Sequence, residues 1–476
     1  MKIAFFASEA NPFCKTGGLA DVSSSLSAAL VKMGHEVIFG LPYYKNLRLG
    51  NKKPRFVARY TVHLSWREQE ATIYSVEEKG VTYYLIHNDY YFSRDAIYGY
   101  PDDGERFAFF TLAIKDLMKV ISFKVDIVHV HDWQVAMLPC LIREGSPLDS
   151  FYSKMKFVLT IHNPAFKGML ERYSLGDLYN LPDYLFMNGQ VRFENQVSTL
   201  KSGIVYADKI TTVSPTHREE LLTTQFGQGL EGVLELRRGD FSGILNGIDY
   251  EEWNPSKDRF IAKNFTRSTL KEAKKKNRED LLASFNLPSR SGPIYGIVSR
   301  LSWQKGIDIL IESFRKMLRK DVSLIILGSG EYDLEQKCES LLREFPGKVG
   351  IYIGYNETLA HKIYAGCDYF LMPSLFEPCG ISQMIAERYG TLPIVRYTGG
   401  LKDTVEGYNG KNLTVATGIG FNDYDVSGLD YALGLSLDLG RDNVDYFNCA
   451  KNAMALDHTW KKSASLYEKL YLSLIR

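Results

Sequence analysis

The chain has 476 residues, too many for one hydrophobic core, since cores stop growing near about 250–300 residues and longer chains divide, so two large domains are expected. With 57 basic against 56 acidic side chains the formal charge is only +1, which excludes a net field able to hold a nucleic acid or an anionic membrane; any anion must be bound by local groups. Six scattered cysteines with no C-x-x-C pair suit reduced thiols, and no run of about 18 apolar residues offers a membrane span, so a cytoplasmic protein is expected. At the amino terminus the apolar run is broken by Glu9, too early for a secretory segment, and reads as a first buried strand.

Short β-branched and aromatic runs follow at 3–7, 37–39, 127–130, 157–161 and 210–213, then at 294–298, 324–327, 369–372 and 394–395, with helical-period stretches between them. That alternation predicts α/β architecture with doubly wound parallel sheets. The rhythm lapses between 246 and 293, where NGID, WNP and a charged stretch at 271–280 intervene, which places a domain boundary there. The charged stretch mixes both signs at helical spacing and predicts a solvated helix face without function.

One segment occurs in both halves, TGGLADV at 16–22 and TGGLKDTV at 398–405. A Thr able to cap, glycines that let a ligand approach the backbone and an early Asp predict helix N-termini suited to phosphate; the other reading is a tight strand-to-helix turn. Lys15 precedes the first copy, so its ammonium and the free amides can converge on one anion. No Walker loop and no G-x-G-x-x-G follow the first strand, which argues against nucleotide hydrolase and dehydrogenase functions.

In the second half the 294–298 run leads into SRLSWQKG, placing Arg300 and Lys305 in a loop at the carboxyl edge of a sheet, where a departing diphosphate needs positive charge. The run at 369–372 ends in PSLFEPCGISQ, where two prolines bracket Glu377, a carboxylate able to accept hydrogen bonds from sugar hydroxyls or to cap the next helix. VHVHDW sets His129 and His131 on one strand face, and His162 follows the next strand. These histidines suit either a metal-dependent hydrolase or, as a bland alternative, one buried ring and one ring that orients Asp132 or His162. DYD at 423–425 reads as helix-start acid, and the aromatic cluster at 90–100 offers sugar-stacking faces or packing.

In their order along nearly the whole chain, KTGGLADV, HDW, TIHN, VSPT, NGID with WNP, SRLSWQKG, FEPCG and YTGGLKDTV resemble bacterial glycogen synthase and plant starch synthase. The resemblance implies two facing Rossmann-like domains of the GT-B type: an acceptor-side domain over 1–245, a nucleotide-sugar domain over 246–456, and a final helix within 457–476 crossing back to the first. It implies a retaining glucosyltransferase that takes ADP-glucose as donor and an α-1,4-glucan as acceptor, with no cofactor, metal, nucleic acid or membrane partner. Arg300 and Lys305 would clamp the diphosphate, with Lys15, Gly17 and Gly18 opposite; Asp132, His162 and Asn246 would surround the glucose. Glu377, Cys379 and Gly380 would hold the sugar, Thr398, Gly399 and Gly400 would line the donor, and Tyr355 would lie near the base. Arg300, Lys305, Glu377 and His162 are the catalytic candidates. The wider retaining-transferase pattern has a second Glu where this chain has Ile385. A non-catalytic glucan-binding protein is the remaining alternative.

Overall fold

The computed structural model describes residues 1–475. The chain forms two compact units, Met1–Gly247 with Trp460–Arg476, and Ile248–Thr459.

In the first unit the strands are β1 (Lys2–Phe6), β2 (Glu36–Pro42), β3 (Arg55–Leu64), β4 (Arg67–Glu78), β5 (Val81–His87), β6 (Ile127–His131), β7 (Lys156–Ile161), β8 (Met169–Leu170), β9 (Arg192–Phe193), β10 (Gln196–Ser198), β11 (Lys209–Thr212) and β12 (Phe241–Gly243). Nine of them make one sheet in the order β12-β11-β7-β6-β1-β2-β5-β4-β3, and β8, β10 and β9 make a small separate sheet. Pairing is parallel from β12 to β5, and β1 is buried along Ile3–Phe6, as a strand covered on both faces must be.

The sheet is not wholly parallel as expected: β5-β4 and β4-β3 are antiparallel. These strands show only one buried face along much of their length, so exposed and buried residues alternate and no continuous apolar run marks them. Their two-residue turns need left-handed backbone, supplied at Ser65 (φ 54°), Lys79 (φ 49°) and Gly80 (φ 81°). The helix Trp460–Ile475 belongs to this unit. Its Tyr467 and Tyr471 are fully buried, Glu468 lies 2.8 Å from His35, and Ser463 Oγ donates to the Leu245 carbonyl at 2.5 Å.

The second unit holds β13 (Ile294–Val298), β14 (Ser323–Gly328), β15 (Val349–Ile353), β16 (Tyr369–Met372), β17 (Leu392–Arg396) and β18 (Ile419–Phe421), all parallel, in the order β15-β14-β13-β16-β17-β18. The charged stretch at 271–280 falls in the helix Leu270–Ser284, and here the solvated-face expectation is corrected. Lys271, Lys275 and Lys276 are exposed, but Lys274 and Arg278 point inward. Lys274 Nζ donates to the Cys367 carbonyl at 2.5 Å and to Thr391 Oγ1; burial pulls its pKa down to about 8. Arg278 pairs with buried Asp368, whose carboxylate also accepts the Ile294 amide at 2.8 Å. The helix is therefore tied to the amino ends of β13 and β16, and removing either charge of that pair would strand the other in the interior.

Candidate active site

A parallel sheet opens a crevice at its carboxyl edge where connections leave neighbouring strands in opposite directions. In the second unit that point lies between β13 and β16, because β14 flanks β13 on the other side. The loop after β13 carries Arg300 and Lys305, and the loop after β16 carries Glu377. Lys305 Nζ lies 2.5 Å from Glu377 Oε2, Ser374 Oγ donates to the same oxygen at 3.3 Å, and Glu377 is only 7 % exposed. Gln304 binds the two loops together: its carbonyl accepts the Leu375 amide at 2.9 Å and its Nε2 donates to the Phe376 carbonyl at 3.3 Å. Arg300 Nη2 donates to Gln304 Oε1 at 3.2 Å.

The two TGG segments differ in what their glycines face. At Gly399 (φ 45°) a Cβ would lie 2.0 Å from the Glu377 carbonyl oxygen, and at Gly400 2.2 Å from that of Cys379. The Gly400 amide donates to the Glu377 carbonyl at 3.2 Å. These glycines admit the neighbouring backbone and buttress the Glu377 loop. Around Gly17 and Gly18 nothing lies within 4 Å of the added Cβ, so a ligand can approach there.

Capping also departs from expectation. The helix Gly18–Lys32 is capped by Gly17 with no side-chain bond, and Thr398 stands at the N-cap of Gly399–Thr404 without a capping bond from its side chain. Thr16 instead donates through its amide and its Oγ1 (2.7 Å) to Glu9, which also accepts the Gly17 amide at 3.4 Å and the Tyr98 hydroxyl at 2.7 Å. Lys15 pairs with Asp21 at 2.6 Å. The anions that the Lys15 ammonium and the turn amides meet in this structure are thus the protein's own carboxylates.

At the carboxyl edge of the first sheet Asp132, with φ 58°, follows β6 and accepts the His162 amide through Oδ1 at 2.7 Å. Burial pushes the Asp132 carboxyl up to about 7, against the lowering effect of the His162 and Asn163 amides. His162 follows β7, and burial with the neighbouring His217 lowers its pKa to about 3, so the ring is neutral. Asn246, beyond β12, is buried with Oδ1 unpartnered among the described residues, a group left for a ligand to satisfy. A carboxyl whose folded pKa is raised loses stability as pH rises from its unfolded value near 4 to its folded value near 7. Asp132→Asn, which keeps the Oδ1 acceptor, is therefore expected to melt at higher temperature than the parent at pH 8, with the gap narrowing as pH falls toward 4. A gap independent of pH in calorimetric scans would refute this.

Both ring nitrogens of His129 are taken, Nδ1 by the Tyr471 hydroxyl at 2.7 Å and Nε2 by Thr160 Oγ1 at 2.6 Å, which leaves no lone pair directed at a metal. His131 is buried as well, and its Nδ1 lies 3.0 Å from His162 Nε2. Asp425 caps the helix Val426–Leu439 through the Gly428 amide at 2.7 Å. In the 90–100 cluster Tyr91 and Phe92 are core and Tyr90 is exposed. Tyr355 is 81 % exposed beyond β15, while Cys379 and Thr398 are buried and Gly380 has φ 73°.

Two residues, one in each unit, escaped the sequence reading. Glu9 registered only as a break in an apolar run, although a carboxylate directly after a buried strand is itself a signal. Arg396, at the end of β17, donates to the Leu375 carbonyl at 2.6 Å and supports the Glu377 loop, yet nothing in its local sequence announces that.

Residues 2–236 match the family described as starch synthase catalytic domain, and 280–427 match glycosyl transferases group 1. The chain is 44 % identical to a glycogen synthase of Anoxybacillus flavithermus and 42 % identical to one of Geobacillus stearothermophilus, each match spanning 100 % of this chain and 98 % of the relative. The catalytic domain of starch synthase IV from Arabidopsis thaliana, solved with ADP and acarbose, has a TM-score of 0.92 at 30 % identity, covering 100 % of this chain and 99 % of that one. A sucrose-phosphate synthase from Thermosynechococcus elongatus shares the fold at a TM-score of 0.62 and 16 % identity, covering 99 % and 98 %.

Proposed function

This chain belongs to the glycogen synthase family and is a glycosyltransferase of GT-B fold, and from that premise we propose that it moves glucose from ADP-glucose to the 4-hydroxyl at the non-reducing end of an α-1,4-glucan, with retention. The observation that carries the reading is the Lys305–Glu377 pair at the switch point of the second sheet. As the glycosidic bond to the diphosphate breaks, negative charge grows on the leaving oxygens, and Arg300 and Lys305 stabilise that growth more than they stabilise the bound donor. Glu377, held by Lys305 and Ser374, is a hydrogen-bond acceptor for sugar hydroxyls rather than a free nucleophile. Same-face attack by the acceptor hydroxyl, with the departing phosphate taking its proton, gives retention without a covalent enzyme intermediate.

The backbone of Cys379, Gly380, Thr398, Gly399 and Gly400 shapes the donor side of this reading, with Tyr355 at the base. In the first unit this reading assigns substrate binding to Lys15, Gly17, Gly18, Asp132, His162 and Asn246. The protein works in the cytoplasm with glycogen as acceptor. No helix among the described residues is long and apolar enough to cross a membrane.

Transfer of labelled glucose into glycogen, from ADP-glucose and UDP-glucose side by side with chelator present, tests donor, reaction and metal dependence together. Robust incorporation from ADP-glucose in chelator is expected. Incorporation from UDP-glucose alone, or its loss in chelator, would overturn the assignment, and glycogen binding without product would identify a non-catalytic glucan-binding protein.

A further inference from the structure

The rings of His129 and His131 stack with centroids 4.3 Å apart, and Phe5 packs against both, at 4.9 Å from His129 and 5.6 Å from His131. His131 is fully buried. One of its nitrogens, Nδ1, faces Nε2 of His162 at 3.0 Å; the other, Nε2, has no hydrogen-bond partner among the described residues. Burial keeps both rings neutral, so each carries one proton, and the contact between them holds only one.

Two arrangements satisfy that count. If His162 supplies the shared proton from Nε2, then His131 must carry its own on Nε2, a buried N–H with nothing to receive it. An orphaned buried N–H is rarer in folded proteins than an under-satisfied acceptor. If His131 supplies the proton from Nδ1, what remains at its Nε2 is a bare lone pair among aromatic rings, and His162 must carry its proton at Nδ1.

We propose that His131 is a positioning residue that donates through Nδ1–H to His162 Nε2 and thereby holds His162 in the Nδ1-protonated tautomer, with a hydrogen-bond donor directed away from His131. His129 fixes the plane on which His131 stacks. Its two nitrogens are anchored by Tyr471 from the last helix and by Thr160, whose hydroxyl lies 2.6 Å from that of Thr211. His162 is partly exposed, so its Nδ1–H can meet an oxygen of the donor sugar. This functional half rests on the donor-site reading given above; the tautomer does not.

The test is nitrogen NMR of the full chain labelled with ¹⁵N-histidine, with His162 identified by the signals missing from His162→Gln. The expected spectrum shows a protonated Nδ1 and an unprotonated Nε2 at His162, and the reverse pattern overturns the proposal. His131→Asn, whose side-chain amide can donate from the position of Nδ1, is expected to keep that tautomer and a kcat within about threefold of the parent, whereas His131→Leu loses about tenfold or more in kcat with a smaller change in donor KM. Equal losses in both variants, or an unimpaired folded His131→Leu, would overturn the positioning role. Should His131→Leu fail to fold, the spectrum of the unsubstituted chain still decides the tautomer. An unsubstituted chain with no transferase activity would defeat the donor-site reading while leaving the tautomer to the spectrum.

Discussion

Lys305→Ala is expected to lower turnover at saturating donor by about 10²–10³-fold, the cost of removing one preorganised charge that acts on the leaving group. Saturation matters, because a cation that bound donor and transition state equally would change KM and spare kcat. The structure adds a second consequence. Lys305 is the ion-pair partner of a carboxylate that is almost wholly buried, so alanine also leaves Glu377 uncompensated. Thermal unfolding should therefore shift downward along with turnover. Lys305→Met combined with Glu377→Gln removes both charges and should restore much of the stability without restoring rate. A folded Lys305→Ala enzyme of near-normal kcat would eliminate the clamp.

Glu377→Gln should reduce turnover by about 10²-fold or more while the fold stays intact, because the amide keeps the shape and the contact with Ser374 but removes the charge. The two positions lie 72 residues apart in sequence and share one contact, so their effects should not multiply. A double variant as slow as the product of the two single losses would show that Lys305 and Glu377 act independently. Turnover close to the parent's in Glu377→Gln would remove that carboxylate from the catalytic group.

Both predictions concern residues that the sequence brought forward singly. Lys305 was legible because a cation follows a buried strand and precedes an amphipathic helix, and Glu377 because two prolines bracket it after another such strand. Their pairing was not legible, since it depends on β13 and β16 lying side by side. The same holds for Gly399 and Gly400, whose motif matches that of Gly17 and Gly18 although one pair meets backbone and the other open space. In the first sheet, His129 and His131 were correctly placed on one face by the two-residue period, while the hydroxyl that completes His129 comes from Tyr471, 342 residues away.

The sequence by itself determined the α/β class, the parallel core strands of both sheets and the strand-end loops that carry the chemistry, because a strand buried on both faces must read as an unbroken apolar run whatever surrounds it. Tertiary structure alone decided which half-exposed strands completed the first sheet and which charges of the helix Leu270–Ser284 turned inward. It also decided that Glu9 occupies the amides of the first glycine turn and that His131 meets His162. Periodicity is a local property of the chain, whereas the partner of a polar group is set by which strands become neighbours, and that choice is made by the core as a whole.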